Sequence, residues 1–113
     1  MHEMSIAISI VDIATEEAQK ANVNSFSEIV LDIGSLSGIE IDALEFAMDS
    51  ACKGTVLQTA NLRINHISAL ARCNNCMTEF GVENVFSICP NCQQYDLHIF
   101  QGKEIKVKSL IIG

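Results

Sequence analysis

Two short motifs put four thiols within reach of one cation: Cys73-Asn74-Asn75-Cys76 and Cys89-Pro90-Asn91-Cys92, with twelve residues between them. Paired C-x2-C knuckles at this separation suit a single tetrahedral zinc ion. Each knuckle turns two sulfurs the same way while turn amides donate to them. Four thiolates leave no open coordination position, so the chemistry implied is structural zinc held by Cys73, Cys76, Cys89 and Cys92. A thioredoxin-like redox role for one C-x-x-C is disfavoured by the second matching pair. The intervening stretch, Met77 to Ile88, carries Phe80, Val82, Val85 and Phe86 around Gly81 and predicts a short hairpin with little core of its own. Metal binding must then supply much of that module's folding energy. The fifth cysteine, Cys52, has no partner motif and reads as a buried, inert thiol.

A second constellation lies at Met1-His2-Glu3. The amine of Met1, the backbone nitrogen of His2 and the His2 imidazole can chelate one metal through fused five- and six-membered rings. Glu3 can complete the set through its backbone nitrogen or its carboxylate. An α-amine titrates near ~8 and an imidazole near ~6.5, so both release a proton to a metal near neutral pH. Displacing an amide proton favours planar Ni(II) or Cu(II) over zinc. On chemistry alone the plainer reading, a polar residue leading into a helix, takes precedence. His66 and His98 fit no ligand pattern and read as ordinary strand or loop residues.

The elements that would position these groups follow from periodicity. From Glu3 to about Ala21, Met4, Ala7, Ile8, Val11, Ala14 and Ala18 recur at helical spacing. Ile6, Ile10 and Ile13 form a second row that permits a weak homodimer as well as a monomer. Ile29, Leu31 and Ile33 alternate with Glu28, Val30 and Asp32, the period of a strand with one face buried and one partly wet. Gly34 to Gly38 is a loop. Asp42 and Glu45 resemble a capping box ahead of a stripe of Leu44, Ala47, Met48 and Ala51 that stops at Gly54. Thr59 to Ile67 and Ile105 to Ile111 read as two further strands. The prediction is an α+β fold, a small three-stranded sheet with two helices, plus an inserted four-cysteine zinc-ribbon module. Residues 1–69 and 101–113 form the α/β domain and residues 70–100 the ribbon, with junctions near Ala69 to Arg72 and Phe100 to Gly102.

Composition sets the class. Apolar residues make up 49% of the chain and charged residues 19%, which fits a globular protein and not a disordered one. The formal charge is −7, and residues 1–50 hold ten Asp or Glu against the single base Lys20. Such a chain repels phosphate backbones, which argues against nucleic acid as a partner, and attracts cations and basic protein surfaces. No apolar run reaches the roughly 18 residues of a membrane span, and the start carries no basic leader. The expectation is a cytoplasmic protein without a membrane partner, whose cysteines serve a metal because a reducing compartment disfavours disulfides.

Four stretches together carry a resemblance. Met1-His2-Glu3-Met4-Ser5-Ile6-Ala7, Leu31-Asp32-Ile33-Gly34-Ser35-Leu36-Ser37-Gly38, Leu44-Glu45-Phe46-Ala47 and the Cys73 to Cys92 spacing look like the HypA/HybF family of nickel metallochaperones for [NiFe]-hydrogenase maturation. The likeness covers essentially the whole chain. It implies Ni(II) as transported cargo bound at Met1, His2 and Glu3, Zn(II) in the ribbon, and no bond-making catalysis. It implies delivery to the precursor of the hydrogenase large subunit together with a HypB-type GTPase, and in some members service to urease maturation. Some members place His directly after the second Cys of each pair; here those positions are Met77 and Gln93, so a pH-responsive zinc switch is not expected. Two other readings remain at this stage: a zinc-ribbon adaptor for protein or nucleic-acid docking without nickel transfer, and a thiol redox enzyme using Cys73 and Cys76.

Overall fold

A computed structural model describes residues 2–113. The elements run α1 (Glu3–Ala21), β1 (Glu28–Gly34), α2 (Ile41–Ala51), β2 (Asn61–Ile67), β3 (Leu70–Cys73), β4 (Glu79–Gly81), β5 (Leu97–Gln101) and β6 (Ile105–Ile111). They form two compact units. One runs to Leu31 and adds Ile39–Asn65 and Lys106–Gly113; the other comprises Asp32–Gly38 and His66–Ile105.

In the first unit α1 packs against α2. The buried stripe of α1 is Ala7, Ile10, Val11, Ala14 and Ala18, in which three alanines permit close approach of a neighbouring element. The predicted stripe was one position too wide: Met4 and Ile8 are exposed, and Ile10 from the second row takes their place. The helix stops at Asn22, whose left-handed backbone (φ 57°) lets its N–H and that of Val23 return to the carbonyls of the last turn. Glu3 in the first turn and Lys20 in the last complement the helix dipole.

The α2 helix departs from the capping-box expectation. It begins at Ile41 behind Glu40, Asp42 lies inside its first turn, and no side chain of its own caps it. The Glu40 N–H donates instead to Glu3 Oε2 at 3.1 Å, a partner from α1 that local pattern could not reveal. Leu44, Ala47 and Met48 form its buried stripe. The helix ends at Ala51, ahead of the predicted stop; Gly54 lies beyond it with φ +73°.

The sheet of this part of the chain has the order β2-β1-β6. Ser27 joins its ends of chain, its N–H donating to the Ile111 carbonyl at 2.7 Å and its own carbonyl accepting from Asn61 N–H at 2.9 Å. The half-wet alternation expected for β1 is not seen: Ile29 to Gly34 are all buried, Val30 and Asp32 included. Burial of alternate residues requires cover on both faces of the strand, which periodicity within β1 does not reveal.

The second unit is built on the antiparallel sheet β4-β3-β5. Ala71 pairs with Phe80 on one side and Ile99 on the other, so the segments read as junctions, Ala69 to Arg72 and Phe100 to Gly102, hold paired strand residues. The predicted hairpin within Met77 to Ile88 is also revised. Its strand β4 pairs back to β3, and Val85 and Phe86 stay exposed. The core is small, with Ala69, Ala71 and Val82 buried and Leu36, Phe80, Leu97 and Ile99 packed against them. The Gly34–Gly38 loop closes on this unit through Leu36 N–H to Gly102 O and Ser35 N–H to Ile67 O. Gly102 has φ +109°, and a side chain there would overlap the Ala69 backbone.

Candidate metal centre

The two knuckles are built alike. In the first, Cys73 N–H donates to Thr78 O at 2.9 Å and Met77 N–H to Cys73 O at 2.9 Å; in the second, Cys89 N–H donates to Gln94 O and Gln93 N–H to Cys89 O, both at 2.8 Å. Each turn is closed by a residue in the left-handed region, Met77 at φ 66° and Gln93 at φ 62°. Sequence reasoning noted these two positions but not their backbone, because neither residue type favours it.

All four sulfurs lie within 4.8 Å of one another. Cys73 Sγ is 3.4 Å from Cys92 Sγ, and Cys76 Sγ is 3.6 Å from Cys89 Sγ. Four sulfurs each ~2.3 Å from a tetrahedral ion sit about 3.8 Å apart, so the cluster fits the edge lengths of a closed tetrathiolate site. Cys73 and Cys89 are buried, and Cys76 and Cys92 are half-buried. Donors surround them: Asn91 N–H reaches Cys89 Sγ at 3.4 Å, Asn91 Nδ2 reaches Cys76 Sγ at 3.5 Å and Asn75 Nδ2 reaches Cys92 Sγ at 3.5 Å. Cys76 Sγ also lies within hydrogen-bond distance of Thr78 Oγ1, at 3.2 Å.

The thiols are inequivalent. The Asn91 amide, followed by the Thr78 hydroxyl and backbone, brings Cys76 down to about 5. The Asn75 amide and the Gln94 N–H draw Cys92 down as well. At Cys73 the Cys76 backbone N–H favours the thiolate, yet burial and the sulfurs of Cys92 and Cys76 together push it up to about 11. A divalent cation is what allows four thiolates to coexist at this spacing.

At the other constellation, His2 is exposed with an extended backbone (φ −91°, ψ 95°) and immediately precedes α1. Its carbonyl accepts from Ile6 N–H at 3.3 Å, so the amides ahead of Ile6 have no partner within the helix ladder. Glu3 commits its carboxylate to Glu40 N–H, which holds it below the usual carboxylate range, with its own backbone N–H adding to the effect. Met1 lies outside the described residues. Among those described, the four cysteines are the one group of three or more His, Cys, Asp or Glu placed to share a metal.

Cys52 is half-buried against a cavity of about 440 Å³ floored by Ile29, Met48, Leu57 and Leu62. Burial, and then the charge of Asp49, push its thiol up, which fits an inert group. His66 on β2 and His98 on β5 are exposed. Among the described residues no helix is long and apolar enough to cross a membrane.

Comparison with known proteins agrees with this arrangement. A family-level sequence profile described as hydrogenase/urease nickel incorporation, metallochaperone, hypA matches residues 1–112. The hydrogenase maturation factor HypA of Parabacteroides distasonis is 45% identical over 112 residues, covering 99% of this chain and 97% of that protein. Its counterpart in Francisella philomiragia is 38% identical over 113 residues, covering 100% of both. The solution structure of the Ni metallochaperone HypA from Helicobacter pylori superposes with a TM-score of 0.74 at 24% identity, covering 99% of this chain and 97% of that one. At that identity the likeness speaks for the fold.

Proposed function

The chain belongs to the HypA family of nickel-incorporation metallochaperones, and from that premise we propose that it carries Ni(II) at its N-terminus. The ligands are the Met1 amine, the backbone nitrogen and imidazole of His2, and the backbone nitrogen of Glu3. The observation that carries the reading is the state of the helix start: His2 is exposed, the first ladder bond begins at Ile6, and the Glu3 carboxylate is already engaged by Glu40. Amide nitrogens that no helical bond requires can give up their protons to a metal without cost to α1.

In this reading residues 1–69 and 101–113 bind the cargo, and residues 70–100 form a ribbon in which Cys73, Cys76, Cys89 and Cys92 hold structural zinc. The nickel passes to the large-subunit precursor of a [NiFe]-hydrogenase in the cytoplasm, with a HypB-type GTPase as working partner and urease maturation proteins as a second class of client. Exposure of His2 suits release, because a partner's ligands can reach the ion one donor at a time. The family match does not favour an adaptor that carries no nickel.

The test is nickel titration of untagged protein beside His2→Ala, with zinc content followed in parallel. Loss of nickel binding with zinc retained supports the site. Equal nickel affinity in both proteins would sink it. A residue added before Met1 displaces the amine and should weaken nickel binding while leaving zinc in place.

A further inference from the structure

The two knuckles hold each other's sulfurs. Asn75, third residue of the first Cys-x-x-Cys, directs Nδ2 to Cys92 Sγ in the second knuckle at 3.5 Å. Asn91, third residue of the second, directs Nδ2 to Cys76 Sγ in the first at the same distance. The exchange is reciprocal because the turns are near copies, each closed by a left-handed residue after its second cysteine. Asn74, one position earlier, does something different: its Nδ2 bonds Asp96 Oδ1 at 3.1 Å and ties the loop, not a sulfur. The two sulfurs that receive the amides belong to the half-buried cysteines, whereas Cys73 and Cys89 are buried. The clasp therefore acts on the ligands that solvent and competing ligands reach.

We infer that Asn75 and Asn91 are positioning residues that slow metal loss by clasping the opposite knuckle. A tetrathiolate site around a divalent ion carries a net charge of about −2. An amide N–H directed at a metal-bound sulfur draws charge from it, lowers its nucleophilicity and fixes the direction of its lone pairs. Because each amide comes from the other knuckle, neither pair of cysteines can swing away without breaking a bond to its counterpart. The knuckles then open together. Nickel chemistry at residues 1–3 plays no part in this.

The inference rests on the zinc reading of the ribbon, and the experiment separates the two. Full-length protein purified with zinc is compared with Asn75→Leu and Asn91→Leu, which keep similar volume and remove the donor, and with Asn74→Leu as a loop control. Metal content comes first. Wild-type protein without one zinc per chain defeats the zinc reading itself. Zinc transfer to a chromogenic chelator and pulsed alkylation read by peptide mass spectrometry come next. Transfer should quicken on the order of 10-fold in either clasp variant. Early labelling should appear at Cys92 in Asn75→Leu and at Cys76 in Asn91→Leu, each in the knuckle opposite the substitution.

A merely local loosening would instead label the substituted knuckle's own cysteines, and that result overturns the clasp, as do wild-type rates. In the cobalt-substituted protein the sulfur-to-metal charge-transfer band should move to lower energy in both variants but not in Asn74→Leu. Should a leucine variant fail to load metal, Asn75→Asp and Asn91→Asp, which keep a turn-forming side chain, are read the same way. An unchanged charge-transfer band in those proteins refutes the inference.

Discussion

Gly102 provides a sharp test of how the second unit is held. Replacing it with alanine adds two penalties. Its φ of +109° lies where an L side chain is strained, which costs on the order of 1–3 kcal/mol. The new Cβ would also fall 2.4 Å from Ala69 Cα and 2.9 Å from Ala69 N, backbone atoms that cannot turn aside. Forced overpacking of this kind costs about 1–3 kcal/mol more. Together, Gly102→Ala should lose about 2–6 kcal/mol. At roughly 4 °C per kcal/mol for a chain of this size, the melting temperature should fall by at least ~8 °C. Two companion variants divide the cost. Gly54 has φ +73° but nothing within 4 Å of a built Cβ, so Gly54→Ala carries the backbone penalty alone. Gly34 has an ordinary φ, but its Cβ would collide with the Gly102 carbonyl and Lys103 N, so Gly34→Ala carries the steric penalty alone. Thermal melts of the metal-loaded proteins by circular dichroism should place Gly102→Ala well below Gly54→Ala, with Gly34→Ala also lowered by its clash. A Gly102→Ala melt within ~2 °C of wild type, or one no lower than that of Gly54→Ala, would refute the reasoning.

Stripping the ribbon with a chelator under reducing conditions should abolish amide protection in β3, β4 and β5 while α1 and α2 keep theirs, as hydrogen exchange with mass spectrometry would show; persistent protection of β3 would count against metal as the main support of so small a core. Glu3 should be acid-sensitive in a defined window: with its folded pKa lowered, its bond to Glu40 stabilises above the ordinary glutamate value of ~4.3 and is lost as pH falls through the lower folded value. An NMR titration of the Glu40 amide should therefore have its midpoint below ~4.3, and a midpoint above it would contradict the contact. Cys52, its thiol raised by burial and by Asp49, should react with iodoacetamide at pH 8 more slowly than a free model thiol; equal or faster labelling would remove the case for an inert group.

What the sequence disclosed and what it withheld divide along physical lines. The span of α1 was legible because a nineteen-residue amphipathic pattern leaves little freedom of interpretation. The four-cysteine cluster was legible because paired knuckles encode their own turn geometry. Contacts between distant segments were not. The Asp42 and Glu45 pattern looked like a local cap, yet the helix starts at Ile41, one residue before Asp42, and the N–H of its N-cap residue, Glu40, found Glu3, thirty-seven residues away. Strand β3, four residues long and carrying Arg72, is too short to show a period, and it is identified by its partners β4 and β5. The asparagines of the knuckles read as turn formers, and their reach across to the opposite cysteine needed coordinates.

The strand order β2-β1-β6 also sets a schedule. On a ribosome β1 emerges early, with Ile29, Leu31 and Ile33 ready for burial, but the strand that completes one of its edges is the last element of the chain. The bond from Ser27 to Ile111 spans 84 residues, and at about 5–20 residues per second that is a wait of about 4–17 seconds. All four cysteines placed to share a metal are synthesised within that interval. The ribbon is thus made, and able to load, before the sheet can close, while a nascent chain stalled short of β6 leaves one edge of an apolar strand unpaired, the kind of edge that chaperones and aggregation compete for.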